Sequence, residues 1–254
     1  MLKIDIVSCL NDNYSYVLYD DDSKLVAVLD PSEFKPIDSF ISKKYKKIDY
    51  ILNTHHHFDH VNGNDELKKK YNSQIMGPLL EKEKIPGIDT ALNGGDIFKF
   101  GNITFKILFL PGHTSGHISF YSKEEKVIFT GDTLFSLGCG RVFEGTVSQM
   151  YSSIKKIKKL PVDTKIYCGH EYTKNNYDFC ATYEKKNKLL LKKLSWINKR
   201  LDKKLPTIPT TLDEELKTNI FLRCDNLLLK KELGMNNSSE ELIFEKLRNL
   251  KDNF

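Results

Sequence analysis

All seven histidines of this 254-residue chain lie in three short motifs. Thr54-His55-His56-His57-Phe58-Asp59-His60 is the densest. Pro111-Gly112-His113-Thr114-Ser115-Gly116-His117 and Cys168-Gly169-His170-Glu171-Tyr172 hold the rest. The imidazoles and the carboxylate between residues 55 and 60 cannot all be buried as packing groups without a large desolvation cost. Neutral imidazole and carboxylate are, however, the N and O ligands that zinc and related ions take. The chain is therefore constrained to fold around a metal centre, and the number of ligands predicts two ions.

The formal net charge is +5, and lysine supplies nearly all of the cations, since Arg141, Arg200, Arg223 and Arg248 are the only arginines. Lysine runs such as Lys43-Lys44, Lys68-Lys69-Lys70 and Lys155-Lys156 alternate with apolar residues at helical spacing, which reads as solvated helix faces and not as a nucleic-acid surface. The excess charge suits an anionic small substrate. Five scattered cysteines without paired spacing (Cys9, Cys139, Cys168, Cys180, Cys224) predict free thiols. No secretory signal is expected ahead of Leu2-Lys3-Ile4-Asp5-Ile6-Val7, and no apolar run approaches the roughly 20 residues that span a bilayer. These features predict a soluble, cytoplasmic protein with no membrane, nucleic-acid or obligate protein partner.

From Leu2 to about Cys168 short apolar strands alternate with helices. Strands are predicted at Ile4–Ser8, Tyr14–Tyr19, Leu25–Leu29, Tyr50–Asn53, Ile103–Leu108, Ile118–Tyr121, Val127–Thr130 and Ile166–Cys168, and helices at Pro36–Tyr45, Asp65–Tyr71 and Ser148–Lys159. Each histidine motif follows a strand, as does Asp132 in Thr130-Gly131-Asp132-Thr133. Loops at strand ends are where a rigid sheet displays its chemistry. After about Thr173 the pattern becomes helix without strand. Leu190, Leu194, Ile197 and Leu201 form an apolar stripe, and capping boxes are expected at Thr211-Leu212-Asp213-Glu214 and Ser238-Ser239-Glu240-Glu241. The fold class is α/β, with a domain of residues 1–173 followed by a helical domain of residues 174–254.

Within His55-x-His57-x-Asp59-His60, alternate residues of a tight loop point the same way, so His55 and His57 share one ion and Asp59 and His60 face a second. His113 adds a nitrogen to the first ion and His170 to the second, while Asp132 has two oxygens with which to bridge them. Each ion then keeps an open position, as catalytic sites require. Two ions about 3.5–4 Å apart hold and activate a water, which is hydrolytic chemistry. Taken singly, His113 and Asp132 read as ordinary structural or turn residues; the full set in order is what carries the metal assignment. His56 is expected to point away, and His117 to support the site or belong to the core.

These residues resemble the metallo-β-lactamase superfamily, an αββα sandwich with its metal site at one edge. The similarity is greater to one branch, glyoxalase II or hydroxyacylglutathione hydrolase. The Thr-His-His-His-Phe-Asp-His and Pro-Gly-His-Thr-Ser-Gly-His blocks carry it, with Phe129 to Phe135, Tyr167 to Thr173 and Asn11-Asp12-Asn13-Tyr14. The resemblance implies hydrolysis of S-D-lactoylglutathione and related 2-hydroxyacylglutathiones to D-lactate and glutathione, the second step of methylglyoxal detoxification. It implies a dinuclear metal-bound hydroxide oriented by Asp59, with zinc as the expected ion and iron or manganese also accommodated. A glutathione site is implied at Arg248 and Lys251, which match an Arg-x-x-Lys pair for the glycine carboxylate, with Tyr172 and Arg141 beside it. A planar guanidinium fork with an ammonium suits a carboxylate. Phe143 departs from the family's usual tyrosine and cannot supply a phenolic hydroxyl.

Within the same fold a persulfide dioxygenase is the nearest alternative, using one iron held by two histidines and an aspartate. A complete second site with His170 and the helical tail disfavour it. A lactonase or nuclease has no need of the Arg-x-x-Lys pair. A non-catalytic metal-binding module is the alternative from another class, and open coordination positions argue against it.

Overall fold

Along Asn13–Asp20, Tyr16 and Leu18 face one side and Val17 the other, and all three are fully buried. A strand covered on both faces needs a layer on each side, and this strand sits inside the first of two stacked sheets. In the computed structural model, which describes residues 1–254, that sheet runs β1 (Leu2–Cys9), β2 (Asn13–Asp20), β3 (Val26–Leu29), β4 (Tyr50–Leu52), β5 (Gln74–Pro78), β6 (Thr90–Leu92). The first pairs are antiparallel, and from β3 onward the strands are parallel. Parallel neighbours need crossovers, supplied by α1 (Phe34–Lys44), by α2 (Phe58–Val61) with α3 (Asn64–Tyr71), and by a 3-10 helix at Leu79–Lys84.

The second sheet contains β7 (Ile97–Phe100), β8 (Ile103–Phe109), β9 (Ile118–Ser122) and β10 (Val127–Gly131) as an antiparallel meander. A small hairpin, β11 (Leu134–Phe135) with β12 (Gly138–Cys139), leads to α4 (Val147–Lys158), after which β13 (Lys165–Cys168) lies parallel to β10. The chain then forms α5 (Thr173–Tyr183), α6 (Lys188–Asp202), β14 (Thr210–Thr211), α7 (Leu212–Thr218), α8 (Leu227–Glu232) and α9 (Glu240–Asp252).

Three apolar clusters define the layers. Tyr16, Leu18, Leu29 and Leu52 meet Phe105, Phe120 and Phe129 between the sheets. Val17, Val28, Ile51 and Ile75 on the outer face of the first sheet are covered by Ile37, Ile41 and Leu67 of α1 and α3. On the far side, Ile128 and Ile166 pack beneath Met150, Ile154 and Ile157 of α4, and beneath Phe179, Leu190, Phe221, Phe244 and Leu247 of the C-terminal helices. The layers are thus α, β, β, α, as the αββα expectation has it.

All the expected strands and helices are present, with ends moved by one or two residues. β5, β6, β7, β11 and β12 were not predicted, and two further findings differ from the sequence reading. The C-terminal part is not free of strand, because Thr210–Thr211 adds an edge to β13. The C-terminal helices share one apolar cluster with α4 and the second sheet, so the core is continuous across residue 173. The Thr211–Glu214 capping box forms, whereas at the last helix Ser239 alone caps, accepting from the Leu242 N–H. No helix is long and apolar enough to cross a membrane.

Candidate metal centre and its cleft

Four strand ends open onto one edge of the sandwich. β4 leads into His55, β8 toward His113, β10 into Asp132 and β13 into His170. Backbone bonds hold these loops together across the sheets. Ile118 N–H donates to Thr54 C=O at 2.9 Å, and Gly169 N–H to Gly131 C=O at 2.9 Å. At Gly169 a Cβ would meet Asp132 Oδ1 at 2.3 Å and His60 Cε1 at 2.8 Å, so only glycine lets the His170 loop close on the Asp132 and His60 loops.

The ligating atoms of His55, His57 and His113 lie within 4.8 Å of one another, and so do those of Asp59, His60 and His170. His57 Nδ1 is 3.0 Å from His113 Nε2, and His60 Nε2 is 3.3 Å from His170 Nε2. Asp132 stands between the two groups. Its Oδ2 is 3.3 Å from both His113 Nε2 and His170 Nε2, and its Oδ1 is 3.5 Å from His60 Nε2. Asp59 Oδ2 is 3.3 Å from His170 Nε2 and 3.5 Å from His60 Nε2.

The surrounding residues fix which nitrogen faces inward. His113 Nδ1–H donates to Arg141 C=O at 2.8 Å, because a carbonyl can only accept, and this leaves Nε2 with its lone pair. His170 Nδ1 faces Asp12 Oδ1 at 2.8 Å and His60 Nδ1 faces Asp30 Oδ2 at 3.2 Å. Thr54 Oγ1 donates to Asp30 at 2.7 Å and lies 3.0 Å from His55 Nδ1, so the buried His55 Nε2 is left with no partner at all. Asn13 Nδ2 donates to Asp59 Oδ2 at 2.9 Å.

Charge and burial agree with a cation at this place. Burial, reinforced by neighbouring imidazoles, holds His55 well below its ordinary value, and takes His57 down to about 4. Burial also lowers His113. The shifts favour the neutral ring in all three, the form in which an imidazole can bind a metal. Burial would lower His60 too, but Asp132, Asp30 and Asp59 outweigh it and raise the ring to about 10. His170 is raised against burial by Asp132, Asp12 and Asp59. Asp59 and Asp132 stay far below the usual carboxylate range despite burial, held there chiefly by His170 and His60. A cavity that draws protons onto buried imidazoles is one that carries uncompensated negative charge, and a divalent ion satisfies the same demand. An orphaned His55 nitrogen, the facing His57 Nδ1 and His113 Nε2, and a buried Asp132 Oδ1 with no hydrogen bond all fit metal ions.

His56 and His117 are turned elsewhere, as expected. His56 Nδ1 is 2.8 Å from Glu81 Oε2 and its Nε2 is 3.2 Å from Glu144 Oε1. His117 Nε2 accepts from Asp132 N–H at 3.2 Å, and its ring stacks on His55 at 4.9 Å. It thereby supports the Asp132 backbone.

Beside the centre lies a cleft of about 450 Å³, lined by His113 and Asp132 together with Arg141, Tyr172, Arg248 and Lys251. All four residues expected to bind substrate thus come to one place from three distant segments. The Tyr172 ring stacks on His170 at 4.7 Å and 3°. Arg248 is buried, with Nη1 donating to Cys139 C=O at 2.7 Å and Nη2 to Asp252 at 3.0 Å, while its buried Nε has no partner. Arg141 Nε donates to the same Asp252 oxygen at 3.0 Å. Lys251 approaches Asn175, and burial with the Arg248 charge lowers its ammonium to about 8. Phe143, 60% exposed, covers the His57 and His113 rings at 5.8 and 5.3 Å. The roles of Asp30, Glu81 and Glu144 were not read from sequence. Asp30 did carry a signal, an acidic residue ending an apolar strand before proline, and it adopts φ +50°.

Two sheets carrying His and Asp loops at a shared edge define the metallo-β-lactamase class, and the profile of the metallo-beta-lactamase superfamily matches residues 11–170. The profile described as hydroxyacylglutathione hydrolase C-terminus matches residues 171–254. The chain belongs to the hydroxyacylglutathione hydrolase family of that superfamily. It is 51% identical over 253 residues to hydroxyacylglutathione hydrolase of Pelagibacter ubique (strain HTCC1062), covering 100% of both chains. Its identity to the protein of that name from Brucella abortus (strain 2308) is 43% over 253 residues, covering 100% of this chain and 98% of the other. ETHE1 from Myxococcus xanthus shares the fold, with a TM-score of 0.69 at 21% identity, over 98% of this chain and 91% of that one. So does TTHA1623 in a di-iron-bound form, with a TM-score of 0.63 at 22% identity, over 87% and 100%.

Proposed function

We propose that the chain hydrolyses S-D-lactoylglutathione and related S-2-hydroxyacylglutathiones to D-lactate and glutathione, the second step of methylglyoxal detoxification. The observation that carries this reading is that one cleft is shared by His113, Asp132 and the Arg141, Arg248 and Lys251 cations, a combination of candidate ligands and charge suited to a thioester joined to a peptide carboxylate.

His55, His57, His113 and Asp132 would hold one ion, and Asp59, His60, Asp132 and His170 the other. When bound, two divalent ions, zinc in our reading, would supply Lewis acidity and lower the pKa of water from 15.7 to roughly 7. Asp59, steadied by Asn13, orients the attacking water. A C–O bond forms at the thioester carbonyl and the C–S bond breaks. The departing thiolate is a good leaving group, so no strong general acid is required of the protein. Arg248, Lys251 and Arg141 receive the glycine carboxylate, and the Tyr172 hydroxyl donates to the peptide. Phe143 offers an apolar ring where a tyrosine would have offered a hydroxyl, so binding through that contact is weaker. In this reading residues 1–173 carry the ions and residues 174–254 most of the glutathione site. A cytoplasmic setting is in keeping with five free, buried cysteines.

The test is the loss of thioester absorbance when metal-loaded protein meets S-D-lactoylglutathione, alongside metal analysis. His57→Ala and Asp132→Ala should each lose bound metal and turnover together. A metal-depleted variant with full activity would sink the reading.

A further inference from the structure

His56 is the one histidine of the first motif that faces neither ion position, and its partner is unusual. Glu81, on the 3-10 helix Leu79–Lys84, is a carboxylate only 1% exposed. Among charged groups it contacts His56 alone, with no lysine or arginine in reach. An ionised carboxylate offers about four acceptor directions, and all are used here. Oε2 accepts from His56 N–H at 2.7 Å and lies 2.8 Å from His56 Nδ1. Oε1 accepts from Gly116 N–H at 2.8 Å and from the Thr114 hydroxyl. Every donor therefore belongs to a residue next to a predicted ligand or in the same turn, with His56 between His55 and His57 and Thr114 following His113. Gly116 permits the approach, since a Cβ there would fall 2.5 Å from Glu81 Cγ.

A second carboxylate spans the same gap. Glu144 Oε1 is 3.2 Å from His56 Nε2, and Oε2 accepts from Ser115 N–H and Oγ at 3.1 and 3.0 Å. A buried carboxylate without a permanent cation is costly unless its hydrogen bonds are complete, and these bonds join two loops that the backbone links at their base through Ile118 N–H and Thr54 C=O.

We infer that Glu81 is a positioning residue for the metal centre: through His56, Thr114 and Gly116 it clamps the His55–His57 loop to the His113 loop and sets the spacing of the three nitrogens. The inference rests on the reading of those histidines as ligands of one ion. Glu81→Gln keeps the shape but replaces one oxygen by an amide donor, which must then face either the His56 side or the Thr114–Gly116 side as donor against donor. The neighbouring ion set, Asp59–His60–His170, makes no contact with Glu81.

The experiment compares zinc-loaded wild type with Glu81→Gln by titration against a chelator, with melting of the metal-free proteins and steady-state hydrolysis of S-D-lactoylglutathione. Expected for Glu81→Gln is a metal-free Tm close to wild type, one zinc weakened about 10–100-fold, the usual effect of losing a partner of a ligand, and the other unchanged. kcat should fall with KM held. Cobalt substitution identifies the weakened ion, because the paramagnetically shifted ring N–H signals of His55 and His113 should vanish first while those of His60 and His170 persist. Thr114→Val should reproduce the effect and Thr114→Ser relieve it, which keeps the test alive should Glu81→Gln fold poorly. Two zinc ions at wild-type affinity in Glu81→Gln and Thr114→Val would overturn the inference. So would equal weakening of both ions with a lowered metal-free Tm, the mark of a purely structural role. A wild type that binds no zinc would instead remove the ligand reading itself, and this inference with it.

Discussion

A neutral imidazole has one lone pair, and the group bonded to its other nitrogen decides where that lone pair points. Arg141 C=O does this for His113, and Asp12 and Asp30 accept from the outer nitrogens of His170 and His60. The candidate ligands of the first loop were legible from spacing, because His55, His57, Asp59 and His60 are neighbours in one loop. Their partners were not. Asp12 and His170 are 158 positions apart, and no local pattern marks either as the other's partner. Lys251 illustrates what a residue's surroundings add. Its ammonium, lowered to about 8 by burial and by Arg248, should lose its proton as the pH rises past that value, and with it the attraction for a substrate carboxylate. The free enzyme's KM should therefore climb above about pH 8 while kcat stays level. Lys251→Met should show a raised KM at pH 7, by about 10-fold for a lost charged hydrogen bond of about 1.5 kcal/mol, and no such inflection. The sign for stability is opposite. Between pH 8 and the ordinary lysine value the folded state binds fewer protons than the unfolded, so this residue makes folding more favourable as pH rises through that window.

At the scale of elements, apolar periodicity located the longer strands and helices, and turn chemistry located their ends. The Thr211–Glu214 box is a case where both oxygens do what the pattern implies, Thr211 Oγ1 accepting from Glu214 N–H at 3.3 Å and Glu214 Oε2 from Thr211 N–H at 3.4 Å. Thr211→Ala should cost about 1 kcal/mol and lower Tm by about 2–4 °C for a chain of this size, measurable by calorimetry without loss of activity. The elements that escaped sequence reading are short or carry turn residues. β6 has three residues and β14 two, too few to display alternation, and β5 contains Gly77 and Pro78. Each exists because a neighbouring strand offers an edge, a fact external to its own sequence.

Across the whole molecule, the C-terminal helices complete the core as well as the cleft. Phe179, Phe221 and Phe244 belong to the same buried cluster as Ile128, Ile166 and Met150. A chain ended at residue 173 would expose the outer face of the second sheet and α4, and should not melt cooperatively or remain soluble. A sharp calorimetric transition from such a fragment would show that the core divides where the sequence changes character. The sequence by itself determined the chemistry: which side chains can ligate, that they follow strands, and that the chain passes from mixed α/β to helix, because these depend on residue type and spacing within a few positions. Only the tertiary structure decided that four strand ends share one edge, that Asp132 stands between two histidine clusters, that Arg141 and Arg248 meet across Asp252, and that Glu81 bonds to both the His56 and the Thr114–Gly116 loops. Those are contacts between segments far apart along the chain, fixed by how three apolar faces must be covered at once.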